Sequence, residues 1–257
     1  MREQRLVFGE DPDLYDVARP SYPAALVDEL VSLVGATARA LDVGCGTGKA
    51  TVLLAGRGLS GVGVEADPAM AAVAKRNLAG HAGWRIDVSD FEKWQRLDGE
   101  APFDLVCSAQ AWHWLDPDVR YHKAHELLRS GGWLALWWNR PADDAAIAEE
   151  INEIYAEVAP EIAAKSGIGS KGAPPPDEDP SGLSFGEPLR KEYPWTKDYT
   201  ADQWVALLRT QSDHRLLPPG QLDDLTERIR RLLAAKDGVY HHRYVCRLWA
   251  AQKAEPS

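Results

Sequence analysis

The stretch Ala40-Leu41-Asp42-Val43-Gly44-Cys45-Gly46-Thr47-Gly48-Lys49-Ala50-Thr51 constrains the fold more than any other part of the chain. It reads as the end of a buried strand, a turn with glycine at every second position, and the start of a helix. Glycine accepts φ > 0 and carries no side chain, so such a turn lets the backbone approach a bound molecule. The same strand-and-helix rhythm then repeats. Residues 59–65, 84–88, 103–109 and 133–139 read as the second to fifth strands. Asp67-Pro68 and Asp116-Pro117 open two of the intervening helices, with the acid as N-cap and proline in the first turn. This alternation predicts an α/β fold: a doubly wound, mostly parallel sheet covered on both faces and joined by right-handed crossovers. In such a sheet the ligand lies beyond the carboxyl ends of the strands, here beside the first.

Ahead of the first strand, Leu26, Val27, Leu30, Leu33 and Val34 recur at helical spacing. After residue 139 the pattern changes. Residues 142–164 are helical and moderately polar, and 167–182 contain Ala-Pro-Pro-Pro-Asp-Glu-Asp-Pro, which reads as a mobile loop or lid. Residues 189–195 and 239–251 complete a seven-stranded sheet, with Thr200-Ala201-Asp202-Gln203 as a capping box and a further helix over 222–233. The expected divisions are an N-terminal cap segment and first helix (1–35), a ligand-binding core (36–139), a helical insertion and loop between strands five and six (140–186), and the rest of the sheet with cap helices (187–257). The N-terminal segment and the insertion are expected to lie over the ligand crevice.

Net charge is −10, with a pI near 5.2, which argues against a protein that grips phosphate backbones. The basic run Arg228-Ile229-Arg230-Arg231 reads as a solvated helix face. Cys45, Cys107 and Cys246 offer neither metal spacing nor a disulfide framework, so no metal is expected and the thiols read as small buried hydrophobes. Residues 1–7 lack the apolar stretch of a signal peptide, and no apolar run approaches the roughly 20 residues of a membrane span. These features predict a soluble, cytoplasmic protein with neither nucleic-acid nor membrane partners; oligomeric state is not readable.

The glycine spacing then selects among ligands. A dinucleotide site needs Gly-x-Gly-x-x-Gly around a pyrophosphate. Here the glycines are 44, 46 and 48, Lys49 breaks that fingerprint, and Asp42 would repel a pyrophosphate while suiting an ammonium group. Asp42-x-Gly44-x-Gly46-x-Gly48 resembles motif I of the class I S-adenosylmethionine-dependent methyltransferases. That resemblance implies a Rossmann-like methyltransferase fold and S-adenosylmethionine as cofactor, with S-adenosylhomocysteine as product. It implies that Gly44, Cys45, Gly46 and Gly48 pass beside the methionine and ribose, that Asp42 meets the ammonium, and that Glu65 accepts the ribose hydroxyls. By the same resemblance Asp90 accepts from the adenine amino group, the Phe91 N–H faces the ring, and Ser108 and Ala109 line the methionine portion. Asp87 and Glu92 are the alternatives to Asp90.

Tyr15-Asp16-Val17-Ala18-Arg19-Pro20-Ser21-Tyr22-Pro23 and Ser108-Ala109-Gln110-Ala111-Trp112-His113-Trp114 resemble the type-11, trans-aconitate methyltransferase-like subgroup of small-molecule methyltransferases. In that subgroup Tyr15 and Arg19 would fold over the cofactor; Arg19 otherwise reads as a surface pair with Asp16 or Glu29. A hydroxyl or acidic C–H acceptor needs its proton removed, and the candidate bases are His113 and His214. His113, between two tryptophans, reads equally as a packed residue. Trp112, His113, Trp114 and Trp138 are candidate acceptor contacts. With Trp137 these tryptophans form either an aromatic cage or core packing. The Asn/Asp-Pro-Pro-Tyr/Phe signature of nucleobase and glutamine N-methyltransferases is replaced by Ser108-Ala109-Gln110-Ala111. The sequence therefore predicts a methyltransferase acting on a small molecule, at oxygen rather than carbon or nitrogen. The rival readings are a cofactor-binding regulatory module without turnover and a methyltransferase of protein or RNA.

Overall fold

A computed structural model describes residues 9–142, 146–166, 183–236 and 238–254. The signal-peptide reading of residues 1–7 and the loop or lid at 167–182 therefore fall outside the described residues. Seven strands are seen among the rest: β1 (Arg39–Val43), β2 (Ser60–Glu65), β3 (Trp84–Val88), β4 (Phe103–Ala109), β5 (Leu128–Pro141), β6 (Leu189–Thr200) and β7 (Val239–Gln252). They form one sheet in the order β3-β2-β1-β4-β5-β7-β6. Pairs β3–β2, β2–β1, β1–β4 and β4–β5 are parallel. Against β5, Lys253 N–H bonds Gly132 O and Ala142 N–H bonds Arg243 O; rising numbers meet falling ones, so β7 runs antiparallel. The strand order reverses between β1 and β4, which is the switch point of a doubly wound sheet.

The helices are α1 (Pro12–Ala18), α2 (Ala24–Val34), α3 (Lys49–Ala55), α4 (Pro68–Asn77), α5 (Pro117–Leu127), α6 (Ala146–Val158), α7 (Pro160–Ser166), α8 (Ala201–Arg209) and α9 (Pro219–Ala234). Three start on one device. Asp11, Asp67 and Asp116 each accept a backbone N–H of the first turn, and Pro12, Pro68 and Pro117 follow them. Proline fixes φ where no intrahelical donor is needed, and the carboxylate takes up one of the orphan N–H groups. Thr200 and Gln203 close a capping box on α8. Ala159-Pro160 divides the helical stretch expected over 142–164 into α6 and α7.

Two strands exceed their sequence expectation. β5 starts at Leu128 rather than 133, because residues 129–132 bulge out between the pairings Phe103↔Leu128 and Leu105↔Trp133. β6 continues to Thr200, although it is polar and largely exposed along its length.

The described residues divide into two compact units. One takes residues 21–139, 183–193 and 246–254. Its core joins Leu41 and Val43 of β1, Val62 and Val64 of β2, Val106 of β4, Leu134 and Leu136 of β5, and Trp249 and Ala251 of β7. Burying each such side chain contributes about 1.5–3 kcal/mol. Cys45, Cys107 and Cys246 are buried free thiols. The other unit takes residues 9–20, 140–166 and 194–245. There α6, α8 and α9 bury Ile151, Tyr155, Trp204, Leu208, Leu225 and Ile229. On α9, Arg228, Arg230 and Arg231 all pair with carboxylates, while Ile229 between them is fully buried. No helix among the described residues is long and apolar enough to cross a membrane.

The cap on α4 gives a direct test. Asp67→Ala leaves the N–H groups of Ala69 and Met70 without their 2.8 and 3.1 Å acceptor. Chemical denaturation is expected to show a loss of about 1 kcal/mol.

Candidate active site

The glycine turn leaves β1 with left-handed φ values of 66° at Gly44, 58° at Gly46 and 83° at Gly48, the last serving as the N-cap of α3. Gly44 is also sterically required, since a Cβ there would meet the Ala111 Cβ at 2.5 Å. The N–H groups of Gly44 and Cys45 both donate to Val64 O, that of Gly46 to Glu65 Oε2 (2.8 Å), and that of Gly48 to Cys45 O. These donors are spent within the protein, so the turn is not a phosphate cradle. What it presents is anionic.

Asp42, at the end of β1, is completely buried; its Oδ2 accepts from the Thr51 hydroxyl at 2.6 Å and its Oδ1 has no partner among the described residues. Burial pushes its carboxyl up to about 6, against the Thr51 hydrogen bond and with the help of the Glu65 charge. Glu65, at the end of β2, accepts from Asp67 N–H at 2.9 Å with its second oxygen. It too is raised by burial, opposed by the Asp67 and Gly46 N–H groups. Neither acid forms a salt bridge among the described residues. Thr47, beside them, is buried with an unpartnered hydroxyl, and its carbonyl accepts from Asn77 Nδ2 at 2.9 Å. Buried carboxylates with unspent lone pairs favour a cation.

After β3, Asp90 pairs with Lys93 at 2.7 Å and its carbonyl accepts from Lys93 and Trp94 N–H groups. Asp87 is engaged by Arg85 and Trp94, and Glu92 by Asp116 N–H. The Phe91 side chain is core. After β4, the buried Ser108 hydroxyl donates to Val43 O at 2.8 Å, and Ala109 pairs with Trp137. Gln110 follows with φ of 59°, the one positive value at a non-glycine among the described residues, and donates its N–H to Trp137 O. A short 3-10 turn then carries Trp112, His113 and Trp114.

Comparison with known proteins agrees with this chemistry. A family described as methyltransferase domain matches residues 40–132. An uncharacterized methyltransferase of Mycobacterium tuberculosis is 32% identical over 234 residues, which is 91% of this chain and 88% of that one. The chain is a class I S-adenosylmethionine-dependent methyltransferase. A Saccharomyces cerevisiae protein whose name assigns it S-adenosylmethionine-dependent methyl transfer is 30% identical over 148 residues, 55% of this chain and 50% of its own. A solved structure from Anaeromyxobacter dehalogenans, assigned as a type II methyltransferase, shares the fold at a TM-score of 0.60 and 23% identity, covering 92% of this chain and 99% of its own.

The methyltransferase's site suits the cofactor of its family. The unpartnered Asp42 and Thr47 oxygens and a glycine turn with no Cβ leave polar and steric room for a cationic, sulfonium-bearing nucleoside. Trp112 is fully buried against Phe91 and Tyr121, and Trp137 and Trp138 are also core, so these indoles are packing rather than an open cage. His113 is exposed, its ring tilted at 43° to that of Trp114 with centroids 4.7 Å apart, and its Nδ1 accepts from Trp138 Nε1 at 3.3 Å. Tyr15, Arg19 and His214 belong to the other unit. There Arg19 donates to Thr210 O at 2.7 Å and lies over the Tyr15 ring. His214 is buried, with Nδ1 at 2.7 Å from Asp213 and Nε2 at 2.6 Å from the Tyr155 hydroxyl. Both ring nitrogens are taken, so it stands as a structural link instead of an available base. Thr51, Thr47 and Asn77 were not singled out in the sequence. The signal for Thr51 was a hydroxyl in the first helical turn behind the motif acid.

Asp42 makes stability depend on pH. It holds its proton up to about 6 in the fold against 3.8 as a free side chain. Folding therefore takes up a proton between these values, and stability falls as pH rises from about 4 to 6. Asp42→Asn keeps an acceptor for Thr51 and carries no charge. It is expected to stabilise the protein at pH 7 by up to about 3 kcal/mol and to flatten that part of the pH–stability curve, as measured by denaturation at several pH values.

Proposed function

We propose that this methyltransferase methylates a small-molecule acceptor at oxygen, in the manner of the trans-aconitate methyltransferase-like subgroup whose motifs its own resemble. The observation that carries the reading is the bond from Trp138 Nε1 to His113 Nδ1. An indole N–H can only donate, so Nδ1 is the acceptor and a neutral imidazole bears its proton on Nε2. His113 then offers a hydrogen-bond donor rather than a base. Such a donor suits an acceptor oxygen that is already anionic, a carboxylate above all, because no proton has to be removed. The net charge of −10 adds support by disfavouring an RNA substrate.

Bound S-adenosylmethionine supplies an electrophilic methyl group on its sulfonium. Asp42 would meet the ammonium, directly or through water. Glu65 already accepts two backbone N–H groups, yet each carboxylate oxygen has a second lone pair for a ribose hydroxyl. Asp90 and the Phe91 N–H would recognise the adenine, with Ser108 and Ala109 beside the methionine portion. The protein's contribution to rate is alignment in a site that excludes water.

Calorimetry is expected to show micromolar S-adenosylhomocysteine binding, on the order of −8 kcal/mol. A panel of carboxylic acids, phenols and heteroaromatic amines, read by S-adenosylhomocysteine release, is expected to give turnover with an oxygen acceptor. His113→Phe should lower kcat by about 10²-fold or more while cofactor-product affinity is kept. Turnover confined to nitrogen or carbon acceptors, or a wild-type rate in His113→Phe, would refute the reading.

A further inference from the structure

We infer that the Gln110 carboxamide is a specificity-determining contact to the methyl acceptor, an inference that rests on the small-molecule reading above. The backbone is the first observation. Gln110 has a φ of 59°, a conformation that every other described residue adopting it reserves for glycine. A side chain there strains the backbone, and glycine would remove the strain. The neighbouring turn uses glycine for that purpose at 44, 46 and 48. Position 110 retains a long polar side chain instead.

Placement is the second observation. Ser108 ties the end of β4 to Val43 O on the β1 side, and the Gln110 N–H ties the next turn to Trp137 O on the β5 side. Ala111 then fills the space that a Cβ on Gly44 would need. Gln110 thus stands at the strand-order switch, between the glycine turn and the turn that presents His113. The methyl group must cross between donor and acceptor in this interval.

The side chain is the third. Gln110 is partly exposed, and its carboxamide makes no hydrogen bond among the described residues. It carries two donors and an acceptor on one rigid plane. A strained backbone that holds an uncommitted amide at the point of transfer is accounted for by an acceptor that engages it. The amide N–H groups would hold the acceptor oxygen in line, together with the donor on His113.

Gln110→Gly removes both strain and amide, while Gln110→Ala removes the amide and keeps a Cβ at positive φ. Both variants are expected to bind S-adenosylhomocysteine within about twofold of wild type and to lose at least about 30-fold in kcat/KM for the acceptor found by the panel. The glycine variant should melt above the alanine variant by about 2–4 °C. Wild-type kcat/KM in either variant overturns the proposal. A tenfold loss of S-adenosylhomocysteine affinity in both overturns it too, by moving Gln110 to the cofactor. If the alanine variant does not fold, the glycine variant alone carries both measurements. A wild-type protein that binds S-adenosylhomocysteine but methylates none of the acceptors instead overturns the small-molecule reading, and this assignment falls with it.

Discussion

The carboxylate of Glu65 joins two chain reversals that would otherwise be independent. One oxygen holds the Gly46 N–H in the turn after β1, and the other holds the Asp67 N–H in the turn after β2. Each bond is between a charged acceptor and a backbone donor, the stronger class of hydrogen bond. Val64 O adds the N–H groups of Gly44 and Cys45 from the preceding residue of β2. The glycine turn is therefore shaped from its neighbouring strand as well as by its own glycines. Asp67 in turn caps α4, so the clamp also sets where that helix begins. Placing the acid at the end of β2 thus organises the site before any ligand is present.

The electrostatic character of the site follows. Asp42 is fully buried and Glu65 half-buried, and desolvation raises both above their ordinary range. An uncharged acceptor in place of Asp42 would fold more readily at neutral pH. The retained charge is a stability cost of the kind that functional sites carry, and it is offset only when a cation lies among these groups. The internal use of the N–H groups of Gly44, Cys45, Gly46 and Gly48 disfavours the opposite ligand, since a pyrophosphate would find few donors in the turn to receive it.

Much of this was legible in the chain. Asp67-Pro68, Asp116-Pro117 and the Thr200–Gln203 box announced their helices because each combines a side-chain acceptor with a fixed backbone, a purely local arrangement. Asp11-Pro12 is the same device, yet α1 was not anticipated, since its seven residues are too short for apolar periodicity to register. The full length of β6 was hidden for a different reason: it is mostly polar, so its pairing depends on β7 and not on burial. The fates of Trp112, Trp138 and His214 also needed three dimensions. Sequence made the tryptophans candidate acceptor contacts and His214 a candidate base, but only packing shows that the two indoles are core and that both His214 nitrogens are engaged. Gln110 carried no sequence signal at all, because a left-handed glutamine looks like any other glutamine.

The insertion of β7 between β5 and β6 has a consequence for how the chain is made. Trp249 and Ala251 lie in the same core as Leu41 and Val62, residues synthesised almost two hundred positions earlier. Lys253 completes the join by donating to the carbonyls of His125 and Leu128. On a ribosome, β1, β2, β4 and β5 emerge with part of the apolar surface of that core still waiting for β7. That surface stays open while the other unit's residues 140–166 and 194–245 are being translated. The unit that carries the glycine turn is thus opened early and completed only when β7 arrives.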